Sequence, residues 1–405
     1  MTSSEKASLV VKKFGGTSLG TLDKIAQAAD HILSFAQHNQ PLIVVTSAMG
    51  GVTDRLSDLA IPHLGCASAE HDALLTSGEH AAAALMALCL QKAGRKSRSW
   101  QAWQIPIEAT TEHGDARITH IHLDALHAFM DQGGISVVTG FQGITKEKRV
   151  ASLGRGGSDI TALALAAWFK RTKRYQETLC HIHTDVEGVY TADPRDVPQA
   201  WQCPELDYDT MHQLSQKGAY VLHPRSVDYA RQENIPIYVR LDTSTKPGTW
   251  VRRTCKQRPP LLMAKQNDWM ALYTPASTCA FTQHLARTHP HACVMMEKEQ
   301  HTLITRPLWT QNKHMFSAST APQEQAYSLL SCFIEGKKEV WRVCMDDLRT
   351  RKDVYIREPM NETCKRGPLW SLFLPTAQAA DTMASLHTHV YPHKQEEHSD
   401  ILPHA

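Results

Sequence analysis

The chain has 405 residues, 42% of them hydrophobic, with 43 basic against 41 acidic side chains. That length allows two or three domains with an ordinary core, and the near balance of charge argues against partnership with nucleic acid or an anionic membrane. No apolar run is expected to reach bilayer length, the lead MTSSEKASLVVKKF lacks the apolar stretch of a signal peptide, and ten scattered cysteines without a C-x-x-C pair suit reduced thiols in the cytoplasm.

The first element is a β-run, Leu9–Phe14, passing directly into Gly15-Gly16-Thr17-Ser18 and then a helix, Asp23–Gln37. Successive backbone N–H groups in such a turn form a concavity for anions, and Lys13 at the strand's end would aim an ammonium at phosphate oxygens. A plain β-turn with a surface lysine is the competing reading. The next β-run, Leu42–Thr46, enters the turn Ser47-Ala48-Met49-Gly50-Gly51-Val52-Thr53, where Ser47 and Thr53 offer hydroxyls. Strand–turn–helix joints commonly look like this. Leu74–His80 then opens an Ala-rich helix expected over His80–Gly94, with Glu79 near its start. The helix dipole favours a carboxylate there, so Glu79 is either a cap or a receptor for an ammonium group.

After the β-run Ile135–Gly140 comes ASLGRGGSDITA, residues 151–162, ahead of a helix expected over Thr161–Thr172. Gly156 and Gly157 let amides approach an anion closely, a helix start adds its positive dipole end, and Arg155 can fork a carboxylate or a phosphate. Ser158 and Asp159 follow within one turn. A glycine turn before a capped helix explains the same residues. The β-run Cys180–Thr184 leads through Asp185, Gly188 and Tyr190 to Asp193-Pro194-Arg195. A loop this long and chemically mixed suits a ribose or base at Thr184 and Asp185, with Arg195 facing phosphates. A helix, Tyr208–Gly218, and a strand, Ile235–Arg240, complete a βαβα rhythm that implies a largely parallel sheet. Each motif begins where a β-run ends, the edge at which open α/β sheets bind ligands.

The pattern changes at Lys246–Pro260, which is basic and aperiodic. Beyond it Met270–Tyr273, Cys293–Met296, Thr302–Thr305, Val340–Cys344, Val354–Arg357 and Leu369–Leu374 read as strands, and Ser277–Thr288 and Thr376–His387 as helices, giving one or two small α+β units. The end of the chain carries His387, His389, His393, His398 and His404 at irregular spacing, which reads as a solvated tail rather than a metal site.

Taken together, Lys13–Ser18, Ser47–Thr53, Ser77-Gly78-Glu79, Leu153–Asp159, Thr184–Arg195 and Gly218–Val227 resemble, in type and order, the aspartokinases of the amino-acid kinase superfamily. The resemblance spans about residues 8 to 252. It implies an α/β fold of the amino-acid kinase type, a mostly parallel sheet sandwiched by helices over residues 1–252. A divergent, ACT-like α+β region over 253–390 and a flexible tail over 391–405 would follow. The implied activity is ATP-dependent phosphorylation of the β-carboxylate of L-aspartate, at the head of lysine, threonine and methionine synthesis. ATP and Mg²⁺ would be the cofactors, with no nucleic-acid or membrane partner, no metal ligated by the chain's own residues, and a homodimer as the default assembly.

By the same resemblance Lys13 and Asp159 would be catalytic, Asp159 orienting Lys13 or helping organise Mg²⁺. Ser47, Thr53, Glu79, Arg155, Gly156, Gly157 and Ser158 would hold substrate, with Arg155 on the α-carboxylate and Glu79 on the ammonium. Lys13, Phe14, Gly15, Gly16, Thr184, Asp185, Tyr190 and Arg195 would bind ATP. Two departures stand out. Tyr220 occupies the place of a lysine that meets ATP phosphates in many relatives, with Lys217 as a possible substitute. The stretch Thr274-Pro275-Ala276-Ser277 lacks the effector-loop glycine, and Pro275 has no N–H, which implies weak or absent feedback by lysine or threonine. The alternatives are a non-catalytic regulatory paralogue and a kinase for another carboxylate or carbamate.

Overall fold

A computed structural model of the chain describes residues 7–36, 40–60, 68–242, 244, 246–255, 259, 261–273, 293–296, 301–306, 322–334, 345, 348, 354–357 and 369–391. The expected strand Val340–Cys344, the helix Ser277–Thr288, the Thr274–Ser277 loop, and His393, His398 and His404 lie outside the described residues. Two compact units emerge. One comprises Met1–Val189, Pro204–Ser215 and Val221–Lys256, and the other Tyr190–Cys203, Gln216–Tyr220 and Gln257–Ala405. The division is therefore not a single cut at residue 252.

The first unit holds β1 (Leu9–Phe14), α1 (Leu22–Ala36), β2 (Leu42–Thr46), α2 (Val52–Ala60), α3 (Ala69–Lys92), β3 (Ser97–Trp100), β4 (Ile107–Ala109), β5 (Ile118–Ile121) and α4 (Asp124–Asp131). It continues with β6 (Ile135–Thr139), β7 (Gln142–Ile144), β8 (Val150–Ser152), α5 (Gly157–Arg171), β9 (Thr178–Thr184), β10 (Glu205–Asp207), α6 (Tyr208–Gln216), α7 (Pro224–Glu233), β11 (Ile237–Leu241) and β12 (Thr249–Arg252). An eight-stranded sheet runs β10-β12-β11-β9-β1-β2-β6-β3. Pairings from β11 through β3 are parallel, and β12 turns antiparallel to β11. The runs LIVVT and ISVVT are buried at every position, as befits strands covered on both faces. Ile25, Ala28 and Ile32 of α1 and Ala82, Ala83, Met86 and Leu90 of α3 share one core cluster with Phe14, Val44 and Val137. α5, buried along most of its length, packs on β1 and β9. A small sheet, β5-β4-β7-β8, is built from strands the sequence pattern did not flag.

Two expectations are corrected here. The Ala-rich helix begins at Ala69, capped by Ser68 Oγ accepting from the His71 N–H at 3.2 Å, not at His80. Glu79 is thus its eleventh residue, away from the positive end of the dipole, which fades beyond the first turn. By length and composition α3 is also long and apolar enough to cross a bilayer, contrary to the expectation that no run approached that length. Its Leu75, Met86 and Leu90 are buried in the protein core, the position of an internal helix.

The second unit is a smaller α+β region. β13 (Leu261–Tyr273), β14 (Cys293–Met296), β15 (His301–Thr305), β16 (Pro322–Ile334), β17 (Tyr355–Arg357) and β18 (Leu369–Pro375) form an antiparallel sheet ordered β14-β15-β13-β16-β18-β17. Over it lies α8 (Thr376–Val390), with Met383, Leu386 and Val390 in a core shared by Leu261, Met263, Leu330 and Leu372. His387 and His389 belong to this helix. Residues 190–203 are woven into the same unit. The Thr191 carbonyl accepts the Met263 N–H at 2.8 Å, Thr191 Oγ1 lies 3.0 Å from His387 Nε2, and Lys265 pairs with Asp196 at 2.6 Å.

Candidate active site

Parallel pairing brings the carboxyl ends of β1, β2, β6, β9 and β11 to one edge of the first unit. β1 delivers Lys13, whose ammonium meets Asp159 in the first turn of α5 at 2.7 Å, both side chains 12% exposed. A largely desolvated pair is held much more firmly than a surface one, so Asp159 fixes the direction of Lys13. The glycine loop follows at once. The Gly15 N–H donates to the His183 carbonyl at 3.3 Å, and the Ser47 N–H donates to the Phe14 carbonyl at 3.1 Å, tying the loop to both neighbouring strands. A Cβ on Gly16 would stand 3.0 Å from the Ala48 carbonyl oxygen, and one on Gly50 would stand 3.1 Å from the Gly16 carbonyl oxygen. The first two loops touch backbone to backbone, which requires glycine at the contact.

Glu79 reaches this edge from the middle of α3. Its Oε1 accepts the Ala48 N–H at 3.1 Å, its Oε2 has no partner, and the residue is 3% exposed. Burial raises its pKa from 4.5 to about 7, against the lowering effect of the Ala48 N–H. A buried carboxylate with one free oxygen keeps spare capacity to accept a hydrogen bond.

α5 starts from Gly156, which holds a left-handed conformation at φ +73°, and a Cβ there would come within 2.6 Å of His223. Gly157 and Ser158 are buried in that first turn. Arg155 is exposed and makes no ion pair among the described residues. Ser47, on the β2–α2 connection, and Thr53, in the first turn of α2, are half-buried. Thr184 Oγ1 donates to Asp185 Oδ1 at 3.1 Å, on the exposed end of β9. Tyr190 and Arg195 fall in the second unit. The Arg195 guanidinium forks the Asp193 carboxylate at 2.7 Å and is 90% exposed. The first unit thus gathers Lys13, Asp159, Gly15, Gly16, Glu79 and Ser158 at one strand edge.

Sequence reading missed a second set of charges, lying on the other face of β1. Lys12 is 1% exposed, its Nζ 3.2 Å from His31 Nε2 and 3.7 Å from the centre of the Phe35 ring. Burial, helped by Arg240, lowers its pKa from 10.5 to about 7, with Asp242 opposing. Burial and Lys12 likewise lower His31 to about 3 and hold His183 well below its usual value. The signal was present in VVKKF. Adjacent strand residues point to opposite faces, so two lysines in a central strand put one on each covered face.

The Amino acid kinase family profile matches residues 8–240. The chain belongs to that family. Over 256 residues it is 40% identical to an aspartokinase of Geobacillus stearothermophilus and 41% identical to aspartokinase 2 of Bacillus subtilis. Each match covers 63% of this chain and 61% of the relative, so the chain matches about three fifths of those proteins' length. Among solved structures, E. coli aspartokinase III in complex with aspartate and ADP superposes with a TM-score of 0.70 at 20% identity, covering 95% of this chain and 100% of that one. The same enzyme with lysine and aspartate gives 0.74 at 22%, covering 95% and 99%. At those identities the likeness is one of fold. The amino acid kinase match ends one residue short of Leu241, the last residue of β11, so it takes in nearly all of the parallel part of the sheet.

Proposed function

We propose that the chain is an aspartokinase, transferring the γ-phosphoryl group of ATP to the β-carboxylate of L-aspartate to give 4-phospho-L-aspartate and ADP. The observation that carries this reading is the convergence, on one strand edge, of the Lys13–Asp159 pair, the Gly15–Gly16 amides and the free oxygen of Glu79. Similarity to aspartokinases at 40% identity supports it. A carboxylate attacks phosphorus without a general base, so catalysis reduces to alignment and neutralisation of charge. Lys13 and the glycine amides neutralise the transferring group. Glu79 takes the substrate ammonium and Arg155 forks the α-carboxylate, leaving the β-carboxylate to face ATP.

Asp159 keeps Lys13 aimed along this path. Thr184 and Asp185 contact the nucleotide, and Ser47, Thr53 and Ser158 add hydroxyl contacts. Mg²⁺ enters on the ATP phosphates as part of the substrate. The test is to incubate the protein with Mg-ATP and L-aspartate and trap acyl phosphate with hydroxylamine. L-Glutamate and Arg155→Ala serve as comparisons. Hydroxamate from aspartate alone, with KM for aspartate raised by about a hundredfold in Arg155→Ala through loss of a charged bidentate contact, is the expected result. Absence of hydroxamate from aspartate would sink the assignment in favour of a non-catalytic paralogue.

A further inference from the structure

Beneath the glycine loop, Asp242 follows the end of β11 and its carboxylate is 12% exposed. Two donors converge on it. His183 Nδ1, on β9, lies 2.7 Å from Oδ1. Burial raises the Asp242 carboxyl above its usual value, and hydrogen bonding from the Ser18 side chain, in the glycine loop itself, opposes that rise. Neither carboxylate oxygen has a hydrogen-bond partner of good geometry, so His183 Nδ1 is close to Oδ1 without being in line with it. A buried acceptor left in that state gains by aligning them, and hydrogen bonds of this kind commonly tighten when substrate binds.

The two donors grip opposite ends of the glycine loop. The His183 ring is stacked on Phe14, centroids 4.5 Å apart and planes 10° from parallel, and its carbonyl accepts the Gly15 N–H. Ser18 closes the other end. We propose that Asp242 is a positioning residue for the Gly15–Ser18 loop, acting on it directly through Ser18 and indirectly through His183. An acceptor-only group is what the place requires, because a ring N–H and a hydroxyl both donate toward it. Arg240 stands opposite His183 in the β9–β11 register and offsets the carboxylate's burial. Gly15 and Gly16 have more conformational freedom to lose than other residues. Fixing both ends of their loop holds the amides ready for phosphate and spares that ordering when ATP binds.

The proposal rests on the reading of this loop as the ATP phosphate site. Asp242→Asn keeps the shape but turns an amide N–H₂ toward one donor. His183→Phe keeps a ring on Phe14 and removes the Nδ1 donor, and Ser18→Ala opens one tie without touching the buried cluster. In the full chain, Asp242→Asn is expected to raise KM for ATP about tenfold, the loss of one charge-assisted hydrogen bond, with KM for aspartate unchanged. Ser18→Ala shifts KM for ATP in the same direction by less. Asp242→Asn combined with His183→Phe is no worse than Asp242→Asn alone.

Hydrogen exchange at the Gly15 and Gly16 amides, read by NMR after ¹⁵N-glycine labelling, speeds up in both Asp242→Asn and Ser18→Ala. Equal rises in both KM values, additive losses in the double variant, or unchanged amide exchange in folded Asp242→Asn and Ser18→Ala would overturn the proposal. If the wild-type protein makes no aspartyl hydroxamate, the kinase reading fails and the amide exchange alone decides whether Asp242 orders the loop.

Discussion

Glu79 couples stability to substrate in opposite directions, and replacing it with glutamine separates the two. Its folded-state pKa is raised from 4.5 to about 7 by burial. The folded protein therefore binds more protons than the unfolded chain between those values. The stabilisation that the protonated form provides is fully present below 4.5 and is lost as pH rises through about 7. A displacement of 2.5 pH units corresponds to about 3 kcal/mol at pH 8, at 1.36 kcal/mol per unit. Glu79→Gln removes that titration. The new amide nitrogen takes the place of Oε2, which has no partner, and returns about 1 kcal/mol as an unmet donor. The expected net effect at pH 8 is a stabilisation of about 2 kcal/mol, with little or none at pH 5.

Catalysis moves the other way. If ionised Glu79 receives the aspartate ammonium, kcat/KM for aspartate at pH 6 is about one tenth of its value at pH 8, following the ionised fraction. Glu79→Gln loses that acidic limb and about 10–100-fold in kcat/KM at pH 8, the worth of a hydrogen bond to a charged group. Urea unfolding at pH 5 and pH 8, beside the hydroxamate assay across pH 6 to 8, reads both effects. A variant less stable than wild type at pH 8, or a flat wild-type kcat/KM profile over that range, would refute the reasoning.

Two further substitutions test the buried charges. Lys12 has its pKa lowered from 10.5 to about 7 chiefly by burial, so the unfolded chain binds more protons between those values and stability rises with pH across that window. Lys12→Met removes the rise, which is about 5 kcal/mol at most from a displacement of 3.5 units, and urea midpoints measured from pH 7 to 10 report the slope. Asp72 is fully buried and accepts from the Ser152 N–H at 2.9 Å, Ser152 Oγ at 2.5 Å and the Gly114 N–H at 3.1 Å, with His113 Nδ1 at 2.8 Å. Asp72→Ala orphans these donors and lowers stability by about 3–5 kcal/mol, whereas Asp72→Asn, which keeps one acceptor, loses less; chemical denaturation at pH 7 measures both.

What the sequence made legible follows from how local each signal is. β1, β2, β6 and β9 stand within two residues of their β-runs because unbroken apolar runs between turn residues have little else to become. The loops of the site were readable for the same reason, since a strand followed by glycines and hydroxyls is a contiguous pattern. β3, β4, β5, β7 and β8 are three or four residues long, too short for an alternation to register. α3 was begun eleven residues late because Glu70, Asp72 and Glu79 interrupt its apolar face, and two of those acids are buried. Helix periodicity assumes that charge points outward. It fails where a core carboxylate is satisfied by residues as distant in the chain as Ser152.

The same failure locates the chemistry. Positions where a local rule breaks without unfolding the chain are those at which tertiary structure supplies something in return. Lys12 breaks the rule against charge in a central strand, and Lys13 beside it takes the opposite face, where α5 provides Asp159. One strand thus carries two amines in two different electrical settings. Lys13 has a carboxylate partner at 2.7 Å, whereas Lys12 meets a neutral imidazole and an aromatic ring. Exchanging the two settings, by Asp159→Asn on one face and His31→Asp on the other, is expected to abolish hydroxamate formation while raising the Lys12 pKa toward its ordinary value. Retained activity in that double variant would mean that the Lys13–Asp159 pair serves folding rather than phosphoryl transfer.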